Sequence, residues 1–181
     1  MKKWIQKLSV GIAAVALLAP MSLMAATGTE RSLTKLENDV RHELVMLPWY
    51  SIFDDLKFEM VDGNHVILSG YATRPTLKSD AENVVKRIEG VESVTNNIEV
   101  LPLSPFDDRI RIAVARSIFG YGGMYRYAMG SQPPLHIIVK NGNVLLEGYV
   151  SSEMDKNIAN IRANGVPGVF SVTNNLVVDR G

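Results

Sequence analysis

Val66-Ile67-Leu68-Ser69-Gly70-Tyr71 returns 78 residues later as Val144-Leu145-Leu146-Glu147-Gly148-Tyr149. At the same offset, Gly90-Val91-Glu92-Ser93-Val94-Thr95-Asn96-Asn97-Ile98 returns as Gly168-Val169-Phe170-Ser171-Val172-Thr173-Asn174-Asn175-Leu176. Two matches in one register, with no gap between them, mark a duplication, and a repeat unit is the first thing a fold reading must respect.

Working outward, each copy reads alike. Leu56, Phe58 and Met60 alternate with Lys57 and Glu59, the period of a half-buried strand, and Leu135, Ile137 and Val139 do the same in the second copy. Asp62-Gly63 and Asn141-Gly142 follow, turn pairs suited to the positive φ of a tight hairpin. The first loop is one residue longer, and His65 is taken as the insertion. A helix is expected next. Leu77, Ala81, Val84, Val85 and Ile88 form one apolar stripe in copy one, and Met154, Ile158 and Ile161 are read as its partner. A closing strand carries Val94, Ile98 and Val100, or Val172, Leu176 and Val178. Ahead of each hairpin lies another amphipathic segment, through Leu36, Val40 and Leu44 or Ile110, Val114 and Ile118. The sequence therefore predicts an α+β protein of two tandem αββαβ modules, spanning 31–101 and 106–180. Each is expected to be a three-stranded sheet with two helices on one face. A module of about 70 residues buries a marginal core, so the two copies, joined by a short proline-stiffened linker at 101–105, are expected to pack together.

Gly70 and Gly148 mark the same point twice and are read as places of close backbone approach. Asn96-Asn97 and Asn174-Asn175 are read as structural strand-edge residues, the alternative being a repeated recognition edge.

The N-terminus has a separate logic. Lys2, Lys3 and Lys7 precede the uncharged apolar run Leu8–Ala19, Pro20 breaks it, and small residues follow up to Ala25 and Ala26. That order predicts a signal peptide over 1–25, cleaved after Ala25 or Ala26, and export to the periplasm. A retained anchor is the alternative, but the run is short of the ~20 residues a span needs. With no cysteine in 181 residues, disulfides, thiolate metal sites and a lipoprotein anchor are excluded. The balanced net charge hides a split: 8 Lys/Arg against 12 Asp/Glu over 31–101, but 8 against 6 over 102–181. The two halves therefore present opposite electrostatic bias to partners.

Signal segment, duplication and the Gly-Val-x-Ser-Val-Thr-Asn-Asn close together resemble the BON-domain family, in its two-domain, osmotically inducible periplasmic form. The resemblance implies a non-enzymatic envelope-stress protein that contacts phospholipid or other envelope components, and it carries no catalytic residue over. The related two-domain lipoproteins use an acylated cysteine that this chain lacks.

The segment 107–134 is the richest in candidate contacts. Arg109, Arg111, Arg116 and Arg126 interleave with Phe119, Tyr121, Tyr125 and Tyr127, and with Met124 and Met129. Cationic groups suit anionic headgroups, and phenol and phenyl rings suit the water–hydrocarbon boundary. Those eight arginine and aromatic positions are the expected lipid-binding set. The competing reading makes Ile110, Val114, Ile118 and Phe119 the core face of a helix with solvated arginines. Trp49, Tyr50, Ile52 and Phe53 are read as core closure or packing between repeats, and Asp54-Asp55 as a solvated turn. His42, His65 and His136 stand in no ligand spacing, and His136 is expected to face solvent or the other copy. No nucleophile elbow or phosphate-cradling loop is present. No catalytic site, metal or cofactor is expected, nor a nucleic-acid or small-molecule substrate. The alternative to lipid is a periplasmic protein-interaction or chaperone-like module docking partners on open sheet edges.

Overall fold

The protein's structure, a computed structural model, describes residues 21–130 and 133–179, with side chains from Leu33 onward. The expected basic and apolar leader therefore lies outside the described residues, apart from its end. Helix α1 (Met21–Val45) runs through the expected cleavage point. The first module continues with β1 (Asp55–Val61), β2 (His65–Ala72), α2 (Pro75–Val85), β3 (Ser93–Asn96) and β4 (Glu99–Val100). The second has α3 (Pro105–Phe119), a 3-10 segment Gly122–Ala128, β5 (Leu135–Lys140), β6 (Asn143–Val150), α4 (Glu153–Asn164), β7 (Ser171–Asn174) and β8 (Val177–Val178).

In both modules a hairpin (β1–β2, β5–β6) is antiparallel, and the chain returns through a helix to lie parallel to the hairpin's second strand. The expected closing strand is split in two. Asn97 and Asn175 donate their amides to Leu68 and Leu146, while Asn96 and Asn174 turn their side chains back to accept from Ile98 and Leu176. Each sheet therefore has four strands in a three-strand layout. Asn96 and Asn174 also donate to the carbonyls of Lys78 and Lys156, tying strand to helix, which is why the pair recurs.

Both hairpin turns take positive φ at their two central residues, Asp62-Gly63 and Asn141-Gly142, as a primed turn requires. The register pairs Val61 with His65, so His65 belongs to β2 and Asn64 is the extra loop residue. Gly70 and Gly148 share φ +104, and a Cβ on either would collide with a carbonyl oxygen, of Asp55 or Pro134. Only glycine fits there.

Each module has its own core. Val40, Leu44, Val66, Leu68, Leu77, Ala81, Val85 and Ile98 fill the first. Ile110, Val114, Ile118, Leu135, Ile137, Val144, Leu146, Ala159 and Leu176 build the second. On α4 the buried face is Asp155, Ala159 and Ala163, whereas Met154 and Ile161 are exposed. The expected stripe Met154/Ile158/Ile161 is thus one helical step off the core face, and only Ile158 reaches the core's edge. The repeat offset settles the reason: Leu77, Ala81 and Val85 correspond to Asp155, Ala159 and Ala163.

The modules pack against each other through the sheet faces that carry no helix. Ile138 is buried yet lies in neither core. From the same face, Lys57 Nζ reaches Glu147 at 2.9 Å and Lys140 Nζ reaches Glu99 at 2.5 Å. The Ile137 amide, on the outer edge of β5, donates to the Ile52 carbonyl at 2.7 Å. Phe53 packs on the second core, and the Tyr50 and His136 rings lie 5.7 Å apart. The cluster 49–53 thus joins the repeats, with Trp49 alone left well exposed. Asp54 and Asp55 are not solvated: both are buried, because Asp54 accepts from Thr73 and Ser51 and Asp55 pairs with Lys57.

Candidate functional site

Ser104 caps α3, its hydroxyl accepting from the Asp107 amide, and Pro105 starts the first turn without wasting a donor. Asp107, almost wholly buried, turns its carboxylate to the hairpin opposite and accepts from the Asn141 and Gly142 amides at 2.9 and 2.8 Å. These contacts fix the rotation of α3. Ile110, Val114 and Ile118 then face the core, and Arg109, Ile112 and Arg116 face outward.

The eight expected contact residues divide. Arg109 and Arg116 are exposed, two helical turns apart, and have no carboxylate partner among the described residues; Arg109 lies 6.0 Å over the Phe106 ring. Tyr121 and Tyr125 are exposed. Phe119 is half-buried against the second core. Arg111 is buried, its guanidinium pairing with Asp108 and donating to the Val139 carbonyl on the edge of β5. Tyr127 is buried as well, and Arg126 is half-exposed but held by Asp155. Arg111 and Tyr127 therefore serve the interior of the module and do not reach its surface.

The 3-10 segment explains that split. Its three-residue period turns Met124 and Tyr127 inward and leaves Tyr121, Tyr125 and Met129 outside. The Tyr127 hydroxyl accepts from the Ser151 amide at 2.8 Å and donates to Asp155 at 2.9 Å. Asp155 also accepts from Ser152 and Arg126, each at 2.6 Å. Burial pushes the Asp155 carboxyl upward, but hydrogen bonds from Ser152 and Tyr127 and the charge of Arg126 outweigh it and hold the group below its ordinary range. At the other end of α4, Arg162 lies 5.2 Å over the Tyr121 ring and its Nε donates to the Ser117 carbonyl. Two straps, Arg126–Asp155 and Tyr121–Arg162, thus hold the 3-10 segment alongside α4.

The result is an apolar flank on the second module. Tyr121, Tyr125 and Met129 from the 3-10 segment stand beside Met154 and Ile161 of α4, all about half to two-thirds exposed, with Arg116 at the adjoining end of α3. The sequence reading missed the α4 contribution because it assigned those side chains to the core; carrying the 78-residue offset through the helix would have found them. The equivalent α2 face of the first module offers nothing comparable: position 76, matching Met154, is Thr76, and Asp80 and Lys78 occupy neighbouring outward positions. Among the described residues, no helix is long and apolar enough to cross a membrane.

Comparison with known proteins agrees with the duplication. The BON domain model matches residues 32–102 and 128–180. The C-terminal domain of CdsD, a structural protein of the type III secretion system of Chlamydia trachomatis, is 14% identical over 78% of this chain and 96% of its own, with a TM-score of 0.32. A second CdsD structure is 14% identical over 80% of this chain and 92% of its own, with a TM-score of 0.31. No curated protein matches the chain at a significant level. The two matched regions fall one in each copy of the repeat, the second beginning at 128, after α3, and together cover more than half of the sequence; the chain belongs to the BON-domain family.

Proposed function

We propose that this is a non-enzymatic periplasmic envelope-stress protein that rests on anionic phospholipid through its second module. The single observation that carries the reading is the outward apolar flank of Tyr121, Tyr125, Met129, Met154 and Ile161 with Arg116 at its margin and Arg109 two turns back along the same helix, neither having a carboxylate partner among the described residues. A contiguous apolar patch ringed by polar groups is costly to leave in water and marks a contact surface. Rings and thioethers enter the headgroup boundary, while each arginine near an anionic surface adds about 1 kcal/mol. Membership of the BON family and the leader-like N-terminus support the envelope location. Edge docking of a protein partner is less favoured on β5, whose Ile137 amide and Val139 carbonyl are already taken by Ile52 and Arg111.

Vesicle co-sedimentation tests the reading. The protein is expected to bind phosphatidylglycerol-containing vesicles and to leave pure phosphatidylcholine largely unbound. Arg109→Glu with Arg116→Glu should weaken binding by about ten-fold or more, since two attractions become repulsions. Tyr125→Ser with Ile161→Ser should weaken it without changing its salt dependence. Equal recovery on both vesicle types, or unchanged binding by both double variants, overturns it.

A further inference from the structure

A second site lies between the modules, away from the apolar flank and independent of the lipid reading. A cleft of about 650 Å³ opens where the 49–53 segment and the strand-to-helix corner of the first module meet the linker and α3. That volume is in the range of small-molecule sites. Its chemistry is unusual for a seam. Trp49, held at φ +71, is 70% exposed at the mouth. A bulky side chain at positive φ is strained backbone, which persists only where surroundings impose it. The Arg74 guanidinium lies 4.8 Å over the Trp49 ring and has no carboxylate partner among the described residues. Across the cleft, Arg111 is nearly fully buried; Asp108 and the Val139 carbonyl take its terminal nitrogens, and its Nε has no hydrogen-bond partner. Leu103, 96% exposed, and Ile112, 46% exposed, complete an apolar wall.

Arg111 is neutralised by Asp108, and the Asp54 carboxylate behind Ser51 and Thr73 is satisfied by four donors, so Arg74 is the cation at the mouth without a carboxylate partner among the described residues, beside an aromatic and aliphatic wall. The single uncompensated cation, Arg74, suits one anionic head, and the wall suits an attached hydrocarbon. We infer that the inter-module cleft binds a single anionic amphiphile, its carboxylate or phosphate head on Arg74 over Trp49 and its apolar part along Leu103 and Ile112. A cation stacked on an indole is a stronger anion receptor than a solvated one, because the ring holds it in place and little side-chain freedom remains to be lost on binding.

Trp4 and Trp49 are the two tryptophans of the chain, so Trp4→Phe makes Trp49 the sole indole reporter. Titrating that full-length protein with decanoate, decyl phosphate, decanol and decyltrimethylammonium, each below its micellar concentration, distinguishes head chemistry from tail. Saturable quenching by decanoate, decyl phosphate or both is expected, with about ten-fold or weaker binding of the alcohol and the cation. Which of the two anions binds more tightly identifies the head. Arg74→Met, which keeps an aliphatic stem on the ring, should cost about ten-fold in affinity. Ile112→Asp should block binding while Arg74 remains. Calorimetry repeats the measurement without the fluorophore. Lys156→Glu, on α4 and outside the cleft lining, should leave decanoate binding unchanged, which shows that the loss in the other variants is local to the cleft. Comparable binding of all four probes, no saturable binding by either anion, or wild-type affinity in both Arg74→Met and Ile112→Asp overturns the inference.

Discussion

The corner between the second hairpin strand and the following helix occurs twice in this molecule, and the two copies are held by different chemistry. In the first module the Asp54 carboxylate accepts from the Thr73 amide and hydroxyl, at 2.6 and 2.8 Å, and from the Ser51 amide and hydroxyl, at 3.1 and 2.7 Å. In the second module Ser151, the counterpart of Thr73, gives its amide to the Tyr127 hydroxyl. The proton of that phenol points to Asp155, which stands where the first module has Leu77. One backbone vertex thus tolerates either a carboxylate above an apolar helix face or a phenol above a charged one. The common requirement is that the buried amide keeps an acceptor. The exchange also has a surface consequence, because the 3-10 segment that brings Tyr127 inward is the one that displays Tyr121, Tyr125 and Met129.

The sharpest way to break the comparison is to remove the acceptor in the first module. Asp54→Ala strands four donors beside a fully buried position, and a loss on the order of 3 kcal/mol is expected in urea unfolding. Asp54→Asn, which retains one carbonyl oxygen, should lose roughly half of that. A loss under about 1 kcal/mol for the alanine variant would mean the corner is held by its backbone alone. In the second module Tyr127→Phe keeps the ring and removes one hydroxyl, so a smaller loss of about 1–2 kcal/mol is expected. Adding Asp155→Leu puts the first module's Leu77 type of residue on the helix beneath the now apolar ring. The double variant should therefore lose less than the sum of the two single changes, a coupling that a thermodynamic cycle measures directly. Strict additivity would show that Tyr127 and Asp155 do not act as one unit.

Much of this was legible in the sequence and some of it was not, for physical reasons. The duplication, the primed turns and the glycine at the close approach are short-range features, and each follows from backbone sterics at named residues such as Gly70 and Asn141. The expected core stripes of α1, α2 and α3 hold because apolar residues there coincide with the buried face. On α4 they do not: Met154 and Ile161 mimic a core stripe at helical spacing, and the real core face uses Ala159, Ala163 and a carboxylate. Periodicity reports which residues share a face, never which way that face points. Likewise Asp54 reads as a solvated acid and nothing in the sequence singles out Asp107 or Asp155, since their amide and hydroxyl donors come from residues 19 to 35 positions away as well as from near neighbours. Of the expected contact set, Arg109, Arg116, Tyr121 and Tyr125 are exposed, whereas the inward turn of Tyr127 and Arg111 depends on the 3-10 period and on the edge of β5.

The smallest effect is expected at the seam, where the two modules again differ at equivalent positions. Lys57 on β1 and His136 on β5 occupy the same place in the repeat, on the helix-free faces that meet. Burial works to lower the Lys57 pKa, but hydrogen bonds and charge from Glu147 and Asp55 outweigh it and raise the group above its ordinary 10.5. Its contribution is therefore complete below that value and lost as pH rises through the folded pKa. His136 shifts the other way. Burial lowers its pKa from 6.5, although the charges of Asp55 and Asp54 and the backbone around Ser51 oppose this, and its Nδ1 has no hydrogen-bond partner. The folded protein then holds the neutral ring while the unfolded chain takes up a proton, so stability falls as pH drops below about 6.5 toward the folded value. Thermal melts between pH 7.5 and 5.5 should show a decline that His136→Gln flattens, and melts above pH 10 a decline that Lys57→Met flattens. If His136→Gln melts with the same acid slope as the native chain, the acid sensitivity lies in the carboxylates, and the seam between the modules is not what protons disturb.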